Sequence, residues 1–202
     1  SRTVQCFSMS TFLDLARQRR GHFQTESGLH CALWFDLDTA FADHAALDPF
    51  VIKLSQSLRR YDVEAVCGPL TGGAFLAQLV ARLLGAEFFF TTPSHSSTSS
   101  PRYVLPQTTG HRLLGKRLAL VDDVMSAGSS LRATLMSVES HGAIPVVVGA
   151  LHVLGTTGSD FFTERGLRVE ATGRSPFEMW RPDACPLCAS GAPLEDPTAE
   201  HQ

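Results

Sequence analysis

Between Val63 and Leu154, short apolar runs alternate with stretches whose apolar residues fall three and four positions apart. The runs "VEAVCG" (63–68), "AEFFFTT" (86–92), "RLALVDD" (117–123) and "IPVVVGALHVL" (144–154) predict buried strands. "GAFLAQLVARLLG" (73–85) and "SLRATLMSVESHG" (130–142) predict helices, the first closed by Gly85. Such alternation predicts an α/β fold, a mainly parallel sheet flanked by helices on both faces. Ligands of these sheets sit beyond the carboxyl ends of the strands. Upstream, Ser8 or Ser10 is placed to cap a helix through about Arg20, with Phe12, Leu15 and Ala16 on one face and Gly21 ending it. Asp48 followed by Pro49 reads as the cap and first-turn proline of a helix through about Arg60, with Phe50, Leu54 and Leu58 in register.

Two regions break the pattern. Thr91 to His111 is rich in Ser, Thr and Pro with little apolar periodicity, which predicts a long mobile loop, although its composition also suits a plain linker. From about Thr156 the pattern predicts a short strand and a polar tail. With 202 residues, 44% of them hydrophobic, the chain suits one domain: an N-terminal segment (1–47), an α/β core (48–155) and a C-terminal strand and tail (156–202).

The formal charge of −3, from 17 basic and 20 acidic residues, supplies no electrostatic footprint for nucleic acid or an anionic membrane. An anionic ligand must be held locally. No apolar run approaches the roughly 18 residues of a membrane span, and the first twenty residues lack a signal-peptide core, so a soluble, cytoplasmic protein is expected. Five cysteines, of which only Cys185 and Cys188 are closely spaced, suit reduced thiols better than a disulfide framework. That pair offers two zinc ligands, but a closed structural site needs four and no second Cys pair exists. His22, His30, His95 and His152 stand singly, and each is expected to be satisfied locally or to face solvent.

The chemistry-bearing stretch is "RLALVDDVMSAGSS", Arg117 to Ser130. Adjacent carboxylates at Asp122 and Asp123 repel unless a diol, a metal ion or solvent lies between them. Ser126, Ala127, Gly128, Ser129 and Ser130 follow, small and hydroxylated residues that open a helix and offer N–H groups to a phosphate. A diol site beside a phosphate site points to a sugar phosphate. As a bare pattern the pair also fits a turn cap. No lysine ends the loop, so it is not a nucleotide-triphosphate loop, and there is no Gly-x-Gly-x-x-Gly fingerprint.

"LALVDDVMSAGSS" resembles the phosphoribosyl-pyrophosphate signature of the type I phosphoribosyltransferases. "GHFQTESGLHCALWFD" (21–36), "GPLTGGAFLA" (68–77) and the tail "CPLCASGAPLE" narrow the resemblance to the orotate phosphoribosyltransferases over nearly the whole chain. It implies the type I fold with a small hood from the N- and C-terminal segments, Mg²⁺ as cofactor, phosphoribosyl pyrophosphate and a nucleobase as substrates, and a homodimer. Asp122 and Asp123 would hold the ribose hydroxyls, directly or through Mg²⁺-bound water, and Ser126 to Ser130 would cradle the 5-phosphate. Pro69, Leu70, Thr71, Gly72 and Gly73 would form the pyrophosphate loop, whose glycines let N–H groups come close to a doubly charged leaving group. Glu26, Ser27 and Gly28 would meet the edge of the base and Phe35, with Trp34 beside it, would stack on its face, although aromatics here also suit a core.

The chain departs from that family's pattern in three places. Its mobile loop has no lysine and only Arg102, the favoured replacement cation for clamping pyrophosphate oxygens; the chain's two lysines are Lys53 and Lys116. Glu26 stands where many relatives carry lysine. His152 and Val153 stand where an Asp-Arg pair that reads the pyrimidine is expected. The implied activity is transfer of ribose 5-phosphate to a base, foremost orotate; the alternatives are a non-catalytic ribose-phosphate-binding regulator and a transferase acting on another base.

Overall fold

A computed structural model describes residues 11–94, 102–195 and 197; Ser8, Ser10 and His95 lie outside them. The expected first helix is replaced by one 3-10 turn, Phe12–Leu15, and a strand, β1, Arg17–Gln24. After Ala16 no apolar residue follows until Phe23, so a helix there would have no face to bury. The segment satisfies its backbone instead by pairing antiparallel with β2, His30–Asp36.

Helix α1, His44–Leu58, starts a turn earlier than expected. Its cap is Asp43, whose carboxylate accepts the Ala46 N–H at 3.1 Å, and Pro49 lies inside the helix. The earlier start adds Leu47 to Val51, Leu54 and Leu58, a four-residue stripe that is almost wholly buried, while Phe50 stays half-buried. The alternation that follows runs β3 Ala65–Pro69, α2 Gly72–Leu84, β4 Glu87–Ser94, β5 Arg102–Val104, β6 Arg117–Met125, α3 Ser129–Ser140 and β7 Ile144–Leu154. Past Thr156, the expected strand is β8, Arg168–Ser175, but helix α4, Thr157–Thr163, precedes it and a short α5, Pro186–Ala189, follows. Helix α4 has only seven residues, too few for its spacing to stand out, and is recruited by burial of Phe162 against the sheet.

The six-stranded sheet has the order β5-β4-β3-β6-β7-β8, parallel except for β5. Successive strand residues serve opposite faces. Leu118 and Leu120 join Leu131, Leu135 and Phe162 on one side, whereas Ala119 and Val121 join Leu54, Leu76 and Val80 on the other. The stretch 91–111 differs from the expected structureless loop. β4 continues to Ser94, and β5 returns antiparallel with Thr92 opposite Val104 and Ser94 opposite Arg102. Tyr103 and Leu105 are buried anchors within it and Leu113 just after it, too few to register as a periodic pattern. Residues 95–101 lie outside the described set.

Candidate active site

From β3 the chain builds the sheet first outward through β4 and β5, then on the other side through β6, β7 and β8. The direction of winding reverses between β3 and β6, the position at which doubly wound sheets open a crevice. Pairing of β3 with β6 ends at Cys67 and Leu120, whereas β6 stays paired with β7 as far as Met125. The β3-facing edge of β6 is therefore free at Asp122 and Asp123. The buried run Leu118 to Val121 fixes where those carboxylates emerge.

The loop after β3 folds over this free edge. A Cβ on Gly72 would lie 1.9 Å from Asp123 Oδ2, and one on Gly73 would lie 2.7 Å from Asp122 Oδ1. Glycine is required at both because backbone and carboxylate occupy the space of a side chain. The peptide between Leu70 and Thr71 is cis.

Asp122 is buried and Asp123 half-buried. Asp122 accepts the Ser130 hydroxyl on Oδ2 at 3.0 Å and the Asp123 N–H on Oδ1 at 3.1 Å, while Asp123 Oδ1 accepts the Val124 N–H at 2.7 Å. Burial, reinforced by the charge of Asp123, holds the Asp122 carboxyl well above the usual carboxylate range. Burial also raises Asp123. Two hard-oxygen donors that are desolvated and mutually repelling suit a divalent cation or a hydrogen-bonding diol, either of which relieves the repulsion.

From Ser126 to Ser130 the chain turns into α3. Gly128 has φ +73°, a left-handed conformation that a side chain would strain, and its carbonyl accepts the Arg132 N–H at 2.9 Å. Ser129 and Ser130 open a helix of twelve residues whose first N–H groups lack intrahelical partners, and both line the same space, the Ser130 hydroxyl being donated to Asp122. A cavity of about 170 Å³ joins these pieces, lined by Ser126 to Ser130, Asp122 and Val124 on the core side and by Thr25, Glu26, Ser27 and Trp34 from the β1–β2 hairpin.

The two central groups of expected site residues thus meet, with Glu26 and Ser27 facing them. Gly28 lies in the hairpin turn at φ +76° but off the cavity wall. Trp34, rather than Phe35, lines this cavity, because neighbouring residues of a strand face opposite ways. Phe35 packs against Phe177 with ring centroids 6.4 Å apart and lines a separate cavity of about 440 Å³ with Leu13, Leu33 and Leu154. That larger cavity holds no grouping comparable with the Asp pair and phosphate turn. Pro69, Leu70 and Thr71 flank the glycines of the folded loop.

Among the described residues, no Lys or Arg lines the smaller cavity. Lys53 donates to the Thr172 carbonyl at 3.1 Å, and Lys116 pairs with Glu87. Arg102 is exposed on β5, opposite Ser94, and His111 is exposed in a 3-10 turn. Glu26 accepts the hydroxyl of Tyr103, also on β5, at 2.9 Å. His152 is buried, its Nε2 2.9 Å from Ser175 Oγ, its Nδ1 without a partner and its imidazole kept neutral by desolvation. Sequence reasoning names both Trp34 and Phe35 but cannot choose between them, and it misses Tyr103, because both points depend on strand phase and on what packs opposite.

A family model described as "Phosphoribosyl transferase domain" matches residues 40–158. The orotate phosphoribosyltransferase of Thermotoga petrophila is 31% identical over 179 residues, covering 88% of this chain and 89% of that protein. Orotate phosphoribosyltransferase from Aeropyrum pernix superposes with a TM-score of 0.60 at 21% identity, over 80% of this chain and 88% of that one. The adenine enzyme APRTase of Giardia lamblia, complexed with 9-deazaadenine, gives 0.64 at 19%, over 82% and 98%. The fold is thus shared by enzymes named for different bases, whereas the switch-point crevice, acidic pair and phosphate turn are built by the segment that the family model spans. The chain belongs to the phosphoribosyltransferase family.

Proposed function

We propose that the protein transfers ribose 5-phosphate from phosphoribosyl pyrophosphate to orotate and releases pyrophosphate, a step of pyrimidine nucleotide synthesis. The observation that carries this reading is the convergence of Asp122, the Ser126 to Ser130 turn and the hairpin residues Glu26, Ser27 and Trp34 on one cavity, with Asp123 beside Asp122 against the glycine loop. The choice of orotate rests on the similarity to the Thermotoga enzyme.

In this reading the turn before α3 receives the 5-phosphate on backbone N–H groups and on the hydroxyls of Ser126, Ser129 and Ser130. Asp122 and Asp123 accept hydrogen bonds from the ribose hydroxyls and fix the anomeric carbon. Trp34 covers one face of the base, and Thr25, Glu26 and Ser27 meet its edge. The base nitrogen forms its bond to the anomeric carbon as the bond to pyrophosphate breaks, through an oxocarbenium-like transition state, and the proton of the base passes to solvent. Holding both partners in line makes positioning a large part of the rate. The Pro69 to Gly73 loop directs N–H groups at the leaving pyrophosphate. Asp122 and Asp123 are the residues that would hold Mg²⁺, which supplies charge neutralisation to the diphosphate. Arg102 adds a permanent cation to the leaving group from the β4–β5 hairpin, across a homodimer interface or within one chain.

A second reading, a non-catalytic ribose-phosphate sensor, is favoured by the lack of Lys and Arg among the described residues lining the cavity. The deciding experiment titrates the protein with phosphoribosyl pyrophosphate and Mg²⁺ by calorimetry, then assays pyrophosphate release with orotate, uracil, adenine and hypoxanthine. Release with orotate alone is the expected result. Release with another base reassigns the acceptor, and binding without release for every base favours the sensor.

A further inference from the structure

A second cluster of chemistry-bearing residues lies away from the Asp pair, where the C-terminal tail crosses the β1–β2 hairpin. Pairing of Arg20 with Leu33 and of Phe23 with Cys31 leaves Gly21 and His22 opposite the single residue Ala32, a β-bulge that re-aims His22. The rings of His22 and His30 then meet with centroids 4.9 Å apart. From the tail, Cys185 caps α5 and Cys188 lies three residues on, a spacing that puts both sulfurs on one side of a helical turn. The His pair and the Cys pair thus converge from positions more than 150 residues apart in sequence.

The donor atoms form a compact polyhedron. His22 Nε2 lies 3.0 Å from His30 Nδ1, 3.5 Å from Cys185 Sγ and 3.7 Å from Cys188 Sγ, and Cys188 Sγ lies 3.3 Å from His30 Nδ1. All four donors fall within 4.8 Å of one another. A tetrahedral Zn²⁺ with bonds of about 2.0–2.1 Å to nitrogen and 2.3 Å to sulfur has edges of about 3.3 Å between nitrogens and 3.6 Å between nitrogen and sulfur. The observed edges scatter around those lengths.

The outer partners also suit a metal. His22 Nδ1 lies 2.9 Å from the Ala192 carbonyl oxygen, which can only accept, so Nδ1 carries the proton and the Nε2 lone pair points into the cluster. His22, His30 and Cys185 are 3–4% exposed, so these side chains are shielded from water, while Cys188 closes the cluster at the surface. An S₂N₂ donor set selects a borderline-soft ion with tetrahedral preference and disfavours Mg²⁺ or Ca²⁺. Cys185 is moreover the one buried residue between Ala171 and Glu195, so apolar burial does little to hold the tail. Backbone bonds tie it at His30 to Trp180 and at Glu195 to His22 and Gln24, and the Arg19–Glu195 ion pair of 2.7 Å is exposed.

We propose that His22, His30, Cys185 and Cys188 bind one Zn²⁺ in a closed structural site that clamps the C-terminal tail across the β1–β2 hairpin. All four positions are filled by protein, which leaves no open coordination site for catalysis. His22 and His30 bracket the turn that carries Thr25, Glu26 and Ser27 to the cavity, so the ion stiffens that wall at both its strands. This corrects the expectation that the histidines are isolated and that the Cys pair lacks partners. A search for a second CxxC misses the site because its other half is a pair of histidines on a hairpin.

The test uses the full chain, purified without a histidine tag or chelator, and elemental analysis for zinc. One Zn²⁺ per chain is expected, persisting in Asp122→Asn and lost in the paired Cys185→Ser/Cys188→Ser variant. X-ray absorption should show two sulfur and two nitrogen neighbours. Replacement by Co²⁺ should give tetrahedral visible bands together with thiolate charge-transfer absorption. To keep the test independent of the Cys variant's folding, the wild-type apoprotein is also titrated with Zn²⁺ alone. Binding should slow reaction of Cys188 with a thiol reagent and slow amide exchange over residues 180–195. It should also raise the thermal midpoint by on the order of 10 °C at a thousand-fold excess over Kd. Zinc content unaffected by loss of both cysteines, a shell without sulfur, or an apoprotein that takes up no zinc would each overturn the assignment.

Discussion

Tyr103 on β5 donates its hydroxyl to Glu26 in the β1–β2 turn at 2.9 Å, joining the turn that lines the candidate substrate cavity to the edge of the sheet. Burial and the neighbouring Glu26 charge push the phenol further above its ordinary range, so it remains a donor throughout any practical pH. Glu26, a carboxylate on the cavity wall, is thus oriented by a neighbouring hydroxyl that leaves its negative charge in place.

We expect Tyr103→Phe to release this link while keeping the buried ring. Stability should fall by about 1 kcal/mol, or about 2–4 °C in midpoint. Turnover should fall several-fold because the hairpin wall and the β4–β5 hairpin are no longer joined. Unchanged steady-state kinetics would confine the bond to a structural role.

The Asp pair makes the free protein pH-sensitive. A carboxyl whose value is raised on folding favours the native state when protonated, so that contribution is complete below the ordinary carboxylate range and is lost as pH rises through the raised value. We expect Asp122→Asn to stabilise the ligand-free protein by about 1–2 kcal/mol at neutral pH. The advantage should shrink as pH falls toward the ordinary carboxylate range, and affinity for phosphoribosyl pyrophosphate should drop. Thermal melts across pH with and without ligand check both statements; equal stability at neutral pH would contradict the repulsion.

Gly72→Ala would drive a methyl group into Asp123 Oδ2. Displacing the loop should cost about 1–3 kcal/mol of stability and reduce turnover by about two orders of magnitude or more. A crystal structure of the variant with its loop in place and full activity would show that the close approach is unimportant.

The two aromatics of β2 should separate in their kinetics. Trp34→Ala should raise KM for the base about tenfold or more, because it lines the candidate substrate cavity, on top of a melting loss from its packing on Phe23. Phe35→Ala should mainly lower the melting temperature, since its ring packs on Phe177 away from the cavity. A KM raised by Phe35→Ala and not by Trp34→Ala would place the base elsewhere.

Arg102 is the loop's sole cation, and Arg102→Ala should reduce kcat about tenfold or more while leaving substrate affinity within a few-fold. An interaction with a leaving group strengthens as negative charge develops, which is why kcat bears the loss. Undiminished turnover would remove Arg102 from the reaction.

The α/β core was legible in the chain because its signals are local. Leu118 to Val121 form an apolar run, Gly85 ends a periodic segment, and Asp122, Asp123 and the small turn after them are contiguous, so strand, helix and phosphate turn can be read from neighbours in sequence. The start of α1 was misplaced because burial of Leu47 outweighed the stronger local cap-and-proline signal at Asp48 and Pro49. Strand β1 replaced a helix because its partner β2 supplies hydrogen bonds that local spacing cannot reveal. Tertiary structure alone decided which aromatic of β2 faces the substrate cavity, that Glu26 is met by Tyr103, and that His22 and His30 converge with Cys185 and Cys188. Each of these depends on a strand's phase or on a long-range crossing of the chain, and neither is encoded in the spacing of adjacent residues.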